Sequence, residues 1–272
     1  MRPSQNDGLL PVGRLAILRE RLICRACRTF GLRRTRNLGA VRLPYDLSGY
    51  PAYAYAWHDS YDIPLMVLMR CVLHEGGTFV DVGGNIGYTA AVGLNRVGRR
   101  GRVVAFEPVP QYHAMIGALG EANPGYRLQV EQAALSDRPG EAEIALSAAN
   151  LGWNTMVPGF MREAHSLARV PVLVFDDYVR SNRIERIDLI KIDVEGYELP
   201  VLDGMRATLA RLRPPIHLEC APQAYALLGR SVADLNAFLV AVGYRARDAQ
   251  SLRPVDPAGL RCTANLLLTP DR

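Results

Sequence analysis

Short apolar runs alternate with longer amphipathic stretches along most of the chain. The apolar runs predict β-strands at residues 78–82, 102–106, 128–135, 187–192, 216–220, 244–247 and 262–269. The stretches between them predict helices at residues 61–75, 86–97, 109–121, 199–212 and 231–242. This alternation is typical of right-handed βαβ units. The sequence therefore predicts an α/β fold with a seven-stranded, mostly parallel sheet, an antiparallel last strand and helices on both faces.

Acidic and small residues occupy the positions where the predicted strands end: Asp81, Glu107, Ala134, Asp193 and Glu219. In an open α/β sheet, ligands bind at the carboxyl ends of the strands, near the point where the strand order reverses. Because parallel strands bring these ends to one edge, we expect the five residues to line a ligand-binding site.

Residues 136–186 form a connection between the third and fourth predicted strands that is too long for an ordinary loop. Apolar patterns at residues 141–147 and 170–175 predict two extra strands within it. The segment between these strands contains Trp153, Asn154, Met156, Phe160 and His165. Since long loops at a ligand edge often carry binding residues, we expect an acceptor pocket or lid here, and a hydrophobic plug is the alternative.

Positive charge is concentrated at the N-terminus. Residues 1–42 contain ten arginines against Asp7 and Glu20, a net charge of +8, so the other residues sum to −3 of the formal +5. A nucleic-acid-binding core would carry the basic excess itself, which excludes that class. We therefore divide the chain into a basic N-terminal helical appendage, residues 1–42, and a main domain, residues 43–272. The appendage either contacts an anionic membrane surface or a partner, or packs on the domain.

The chain lacks sequence signals for a membrane span or for secretion. No apolar run approaches the roughly 20 residues that cross a bilayer, and Arg14, Arg19 and Arg21 interrupt every candidate signal core. Its five cysteines form no disulfide framework, and the pair at positions 24 and 27 lacks the second pair that structural zinc requires. These features predict a cytoplasmic protein and leave a homo-oligomer open.

The stretch "FVDVGGNIGYTA", residues 79–90, places a glycine loop after the first predicted strand. It lacks the glycine spacing of a dinucleotide fingerprint, and the single lysine of the chain, Lys191, stands far from the position that a phosphate loop requires. Asp81 favours a ligand with a cationic group, the loop amides suit a carboxylate, and Glu107 suits ribose hydroxyls. S-adenosylmethionine carries all these groups. A simple tight turn is the alternative.

Four segments resemble the FkbM-type methyltransferases: "FVDVGGNIGYTA", "VVAFEPVP", "QAALSDRPGEAEI" and "IDLIKIDVEGYELPVLDG". The resemblance covers roughly residues 60–270 and implies a Rossmann-like class I enzyme that methylates hydroxyl groups of small molecules, often sugars or polyketide natural products. Gly84 stands where many members have Ala, and Asn85 where other methyltransferases have Gly. With this resemblance, the predicted cofactor-binding residues are Asp81, Gly83, Asn85, Gly87, Tyr88, Thr89, Glu107, Pro108, Ala134 and Asp193.

A neutral hydroxyl is a poor nucleophile, so a base or a metal must assist the loss of its proton. The predicted catalytic residues are Asp193, Glu195, His217 and Glu219, which follow or lie on the fourth and fifth strands. Mg²⁺ held by Asp193 and Glu219 is one route. The residues favour a metal-free route, because "HLECAP" supplies only Glu219 after the fifth strand. His217 has the ordinary pKa closest to neutrality.

Three of the four catalytic candidates also have a structural interpretation. Asp193 would then bind the cofactor ammonium or cap a helix, Glu195 would be a first-turn helix carboxylate, and His217 a core residue. Two other functions stay open: a peptide or protein methyltransferase, and an inactive regulatory protein that binds S-adenosylmethionine.

Overall fold

The computed structural model describes residues 29, 33–46, 62–147, 153–161 and 165–271. Within these ranges the strands are β1 (Arg33–Leu38), β2 (Val41–Asp46), β3 (Thr78–Val82), β4 (Arg102–Phe106), β5 (Leu128–Glu131), β6 (Ala134–Leu135), β7 (Gly140–Ser147), β8 (Asn154–Thr155), β9 (His165–Leu173), β10 (Leu189–Ile192), β11 (Ile216–Cys220), β12 (Tyr244–Asp248) and β13 (Ala264–Pro270). The helices are α1 (Ile63–Val72), α2 (Tyr88–Val97), α3 (Pro110–Ala122), α4 (Phe175–Ser181), α5 (Glu198–Asp203), α6 (Arg206–Leu212), α7 (Pro222–Leu227) and α8 (Val232–Val242). None of these helices is long and apolar enough to cross a bilayer.

The central sheet has seven strands in the order β12–β13–β11–β10–β3–β4–β5. The strands from β11 to β5 run parallel, whereas β13 runs antiparallel to both of its neighbours. From β3 the chain builds outward through β4 and β5, and then returns to the other side through β10. The strand order therefore reverses between β3 and β10. The predicted fold class is confirmed, including the antiparallel last strand.

Each face of the sheet has its own apolar core, because successive side chains of a strand point to opposite faces. On one face Phe79 and Leu189 pack with residues of α1, α2 and α3. On the other face Val80 and Ile190 pack with residues of α4 to α8. A Cβ at Gly93 of α2 would lie 2.5 Å from Phe79 Cδ1, so the close approach of α2 to β3 depends on that glycine.

Two predicted elements are each divided in the structure. The predicted helix at residues 199–212 is two helices, α5 and α6, separated at Gly204 and Met205. A Cβ at Gly204 would lie 2.2 Å from Ser136 O, so glycine at this position allows the chain to pack closely on the start of the inserted segment. The predicted strand at residues 128–135 is β5 of the central sheet followed by β6, which pairs with β9 in another sheet.

The inserted segment builds a second sheet of four strands, in the order β6–β9–β7–β8. Its main feature is the long antiparallel pairing of β7 with β9, from Gly140 opposite Val172 to Ser147 opposite His165. The two extra strands predicted at residues 141–147 and 170–175 are thus confirmed, although β9 begins earlier and ends before α4. The short strand β8 lies at the edge of this sheet, against β7.

An N-terminal hairpin of β1 and β2 crosses the predicted division at residue 42. Val41 and Leu43 are fully buried. Arg42 N donates to Asn123 Oδ1 at 2.7 Å, and Asn123 Nδ2 donates back to Arg42 O at 2.6 Å. Because these contacts join the hairpin to the end of α3, residues 33–46 are part of the packed domain. The predicted basic helix, with its membrane or partner contact, lies largely outside the described residues.

Candidate active site

Side chains of three neighbouring strands form two polar rows on one face of the sheet. The register pairs Lys191 of β10 with Asp81 of β3 on one side and with His217 of β11 on the other. Asp193 lies two residues after Lys191, and Glu219 lies two residues after His217. Because side chains of a strand alternate between its two faces, Asp193 and Glu219 lie on the same face as this first row, nearer the strand ends. Since the strands are parallel, both rows lie at the reversal of strand order between β3 and β10. The structure thus brings the predicted residues of these strands together.

Asp81 is fully buried, and the chain itself supplies its partners. Thr89 Oγ1 donates to Asp81 Oδ2 at 2.5 Å, and Lys191 Nζ lies 3.6 Å from Oδ1. Burial raises the pKa of Asp81, and Lys191 only partly offsets this effect. The cation beside Asp81 is therefore Lys191, which corrects the expectation that Asp81 faces a cationic ligand. With no exposed surface, Asp81 supports the site from beneath.

Lys191 connects the two polar rows. Its Nζ donates to Gly83 O at 2.7 Å and lies 3.3 Å from Asp193 Oδ2. Burial lowers the pKa of Lys191, but Asp193 and Asp81 more than offset this effect, so the pKa is raised and the ammonium stays charged. One buried cation therefore fixes the relative positions of the glycine loop and Asp193.

The loop between β3 and α2 approaches the end of β10 closely because of Gly83. This residue has φ +80°, a left-handed conformation that is costly with a Cβ. A Cβ there would also lie 1.9 Å from Asp193 O. Gly87 has φ +85° at the start of α2, and Asn85, a residue that tolerates this region, has φ 48°. Glycine at position 83 thus allows the loop to lie directly against Asp193.

The amides of the glycine loop are already bound to acceptors of the chain, which corrects the expectation that they hold a ligand carboxylate. The amides of residues 83–87 donate, in order along the chain, to Phe106 O (twice), Glu107 Oε2, Asn85 Oδ1 and Gly84 O. The first N–H groups of a helix have no acceptor within the helix. The positions that can receive an anion are therefore in the first turn of α2, which follows Gly87.

Glu107 lies at the end of β4 with its carboxylate held by two backbone amides. Asn85 N donates to Oε2 at 2.7 Å, and Val109 N donates to Oε1 at 2.9 Å. Burial raises the pKa of Glu107 to about 7, although the two amides lower it. Each oxygen has a second lone pair for a ligand hydroxyl. Pro108 follows directly, whereas Ala134 belongs to the second sheet, in β6.

Asp193, Glu195 and Glu219 form a cluster of half-buried carboxylates, in which one oxygen from each lies within 4.8 Å of the others. The charge of Asp193, together with burial, raises the pKa of Glu219 to about 10. Burial and the same neighbour raise the pKa of Glu195 well above its ordinary value. Such a cluster retains protons that isolated carboxylates release. It is suited to exchange a proton with a hydroxyl or to hold a hard cation.

His217 lies beneath this cluster and is 2% exposed. Its Nε2 lies 3.5 Å from Asp62 Oδ2, and neither ring nitrogen has a hydrogen-bond partner among the described residues. Burial lowers the pKa of the imidazole, although Asp62 raises it. His217 is thus a buried, neutral ring at neutral pH, and its predicted direct contact with an acceptor stays a prediction.

Three residues at the site were not predicted from the sequence: Asp62, Thr155 and Glu198. Asp62 caps α1 by accepting from Leu65 N at 3.0 Å, and an Asp just before a Pro-containing helix start is a usable signal. Glu198 is fully buried in the first turn of α5, three residues after Glu195. Thr155 reaches the site from the second sheet, and no local pattern in the sequence indicates this contact.

The polar groups of the site fit S-adenosylmethionine. Glu107 offers a fixed carboxylate for the ribose hydroxyls, the first turn of α2 offers amides for the carboxylate, and Asp193, with a side chain 25% exposed, suits the ammonium. The same site also offers the three carboxylates of the cluster to a cation, so Glu195 joins Asp193 and Glu219 as a candidate ligand.

Comparison with known proteins places the chain in a family. The family model described as the methyltransferase FkbM domain matches residues 81–246, more than half of the chain. The hexuronic acid methyltransferase AglP of Haloferax volcanii is 30% identical over 137 residues, which are 50% of this chain and 52% of that protein. The chain thus matches about half the length of this curated relative.

Two solved structures are similar at lower identity. The methyltransferase FkbM from Methylobacillus flagellatus has a TM-score of 0.47 and 18% identity, covering 82% of this chain and 51% of that chain. The O-methyltransferase from Bacillus cereus, in complex with SAH, has a TM-score of 0.46 and 13% identity, covering 82% of this chain and 88% of that chain.

Proposed function

The chain belongs to the FkbM methyltransferase family, and we propose that it transfers a methyl group to a hydroxyl of a small molecule. Its family makes it a methyltransferase that uses S-adenosylmethionine. The choice of a hydroxyl acceptor rests on one observation, the cluster of Asp193, Glu195 and Glu219 at the ligand edge of the sheet. An alcohol must lose a proton during methyl transfer, and these carboxylates are placed to take it.

The cofactor side of the site is formed by β3, β4 and the start of α2. When bound, S-adenosylmethionine supplies an electrophilic methyl group on a positively charged sulfur. Glu107 binds the ribose hydroxyls, the first turn of α2 binds the carboxylate, and Asp193 binds the ammonium. Asp81 and Lys191 hold the glycine loop and Asp193 in register, through the 2.7 Å hydrogen bond from Lys191 Nζ to Gly83 O. The main task of these residues is alignment.

The carboxylate cluster acts as the proton acceptor. Repulsion between the neighbouring groups raises the pKa of Glu219 and Glu195, so that each is a stronger base than an isolated carboxylate once it has lost its proton. A protonated member of the cluster can meanwhile donate a hydrogen bond to another hydroxyl of the acceptor. This arrangement suits a polyhydroxylated molecule, on which hydroxyls lie side by side.

A sugar is the acceptor class that these features favour. The curated relative AglP is named a hexuronic acid methyltransferase. In this chain, Trp153 of the inserted segment is 52% exposed and stands two residues before Thr155, which donates to Glu195 O at 2.7 Å. An exposed indole on the segment that contacts Glu195 offers an apolar surface for the face of a sugar ring.

The test is a screen with methyl-labelled S-adenosylmethionine against hexoses, hexuronic acids, polyketide alcohols and peptides. We expect label on a hydroxyl of a sugar, identified by mass spectrometry of the product. Glu219→Gln should lower kcat by roughly 10²-fold or more while cofactor affinity is retained, as for loss of a general base. Glu121→Gln, an exposed change on α3, is the control. Label on peptide nitrogen, or full activity of Glu219→Gln, would contradict the proposal.

A further inference from the structure

The peptide group between Glu195 and Gly196 is held at both of its polar atoms by side chains from different elements. Thr155 Oγ1 of β8 donates to the carbonyl oxygen of Glu195 at 2.7 Å. On the other side, the amide of Gly196 donates to Glu198 Oε1 of α5, also at 2.7 Å. This peptide group directly follows the Cα that carries the Glu195 carboxylate, so its orientation affects where that carboxylate points.

The hydroxyl of Thr155 has a defined hydrogen-bond direction. Its Oγ1 accepts from Val157 N at 3.0 Å, so its own proton is available for Glu195 O. Thr155 is 3% exposed, and water therefore does not compete for this hydroxyl. Val157 in turn packs with Ala221 and Ala224, which follow β11 and begin α7. The second sheet is thus joined to the turn after β10 by one directed hydrogen bond, and to the start of α7 by a small apolar contact.

The backbone that Thr155 holds is conformationally strained. Glu195 has φ 52° and Gly196 has φ 100°, two successive residues with positive φ. A residue with a Cβ adopts this region only at a cost, which surrounding contacts must offset. A Cβ at Gly196 would lie 2.2 Å from Ala224 Cβ, so the turn is also pressed against α7. Without partners for its polar atoms, this peptide group would have other orientations available.

We propose that Thr155 is a positioning residue of the reaction, which fixes the Glu195–Gly196 peptide together with Glu198 and so aims the Glu195 carboxylate at Asp193 and Glu219. The inference rests on the proposed function, because Thr155 acts through Glu195. It also gives the inserted segment a second role. Because β8, which bears Thr155, directly follows Trp153, the segment expected to bind the sugar also positions the carboxylate that takes the proton of its hydroxyl.

The test compares Thr155→Val with Thr155→Ser. Valine keeps the shape of threonine and removes the hydroxyl, whereas serine keeps the hydroxyl and removes the methyl group. Thr208→Val is the matched control, since Thr208 is a buried threonine of α6, which packs against α4. Each variant is assayed for methyl transfer to the acceptor found in the screen, for S-adenosylmethionine affinity by calorimetry, and for hydrogen exchange of the peptide spanning residues 190–199.

For Thr155→Val we expect kcat to fall by roughly tenfold to a hundredfold, with an unchanged Kd for S-adenosylmethionine. Hydrogen exchange at residues 190–199 should become about fivefold faster, because one hydrogen bond that restrains this peptide is lost. Thr155→Ser should restore both kcat and protection. Thr208→Val should leave both as in the wild type.

Two results would overturn the inference: Thr155→Val with wild-type kcat and protection, or Thr155→Ser as impaired as Thr155→Val, which would make Thr155 a packing residue. Glu195→Gln separates this failure from that of the proposed function. If Glu195→Gln lowers kcat and Thr155→Val does not, only the positioning role is wrong. If Glu195→Gln is fully active, the catalytic role assigned to Glu195 is wrong.

Discussion

Buried carboxylates define the site at the scale of single residues, and each depends on partners that are distant in sequence. Glu107 is held by the amides of Asn85 and Val109, and Asp81 by Thr89 and Lys191. Burying a charge is costly unless it is paired or hydrogen-bonded. These partners therefore do more than position the carboxylates, because they also keep an ionised form accessible inside the protein.

Glu107→Ala should weaken S-adenosylmethionine binding more than any exposed substitution. A hydrogen bond to a charged group contributes about 1.5–3 kcal/mol, so the loss of even one ribose contact raises Kd at least about tenfold. Calorimetric titration of the purified variant measures this directly, with Glu121→Ala, an exposed change on α3, as the control. An unchanged Kd for Glu107→Ala would remove Glu107 from the cofactor site.

Chelation tests whether the carboxylate cluster works with protons or with a metal. We expect EDTA to leave the activity unchanged, because Lys191 Nζ already lies 3.3 Å from Asp193 Oδ2 and "HLECAP" supplies only Glu219 after β11. The measurement is methyl transfer before and after dialysis against EDTA, with Mg²⁺ added back. Inactivation that Mg²⁺ reverses would instead make Asp193, Glu195 and Glu219 metal ligands.

Among the elements, those with strong local patterns agree with the sequence, and those that depend on distant partners do not. Strands β3, β4 and β11 have the predicted bounds, because each is a short apolar run with a clear end. The break between α5 and α6 is not predicted, and the close packing of Gly204 on Ser136 beside it joins residues that are distant in the sequence. Likewise, β6 pairs with β9, some forty residues away in the chain, and no local pattern specifies that partner.

The same limit applies to the site. The sequence places Asp81, Glu107, Asp193 and Glu219 correctly at one edge, because the ends of parallel strands meet there. It does not show that Lys191 neutralises Asp81, because this pairing depends on the register of β10 beside β3. Residue type alone therefore favours a ligand cation for Asp81, although Lys191 of the chain lies beside it.

Trp153→Ala tests whether the inserted segment binds the acceptor. Covering half of an indole removes on the order of 100 Å² of apolar surface from water, or about 2 kcal/mol, so KM for a sugar acceptor should rise roughly tenfold or more. We expect kcat and cofactor affinity to stay near the wild-type values. Leu167→Ala is the matched control, since Leu167 is 61% exposed on β9 of the same sheet. An unchanged KM for Trp153→Ala, or an equal rise for Leu167→Ala, would contradict the assignment.

The molecule as a whole carries a group of acids whose pKa is raised in the folded state: Asp81, Glu107, Glu195, Glu198 and Glu219. An acid with a raised pKa binds its proton more tightly when folded than when unfolded. Its contribution to stability is therefore complete below the ordinary pKa and is lost as the pH rises through the folded value. The free energy of unfolding should accordingly be higher at mildly acidic than at alkaline pH.

Glu198→Gln tests this dependence at one buried position. Burial raises the pKa of Glu198 to about 7 from the ordinary 4.5, so wild type should lose roughly 2–3 kcal/mol between pH 5 and pH 8 through this residue alone. Glutamine keeps an oxygen that accepts the amide of Gly196 and has no charge to bury. The pH dependence of the free energy of unfolding, from urea titrations at both pH values, should therefore become shallower by that amount. Glu121→Gln should leave the slope unchanged, because its side chain is exposed. Parallel profiles for wild type and Glu198→Gln would mean that Glu198 is ionised at little cost in the folded protein.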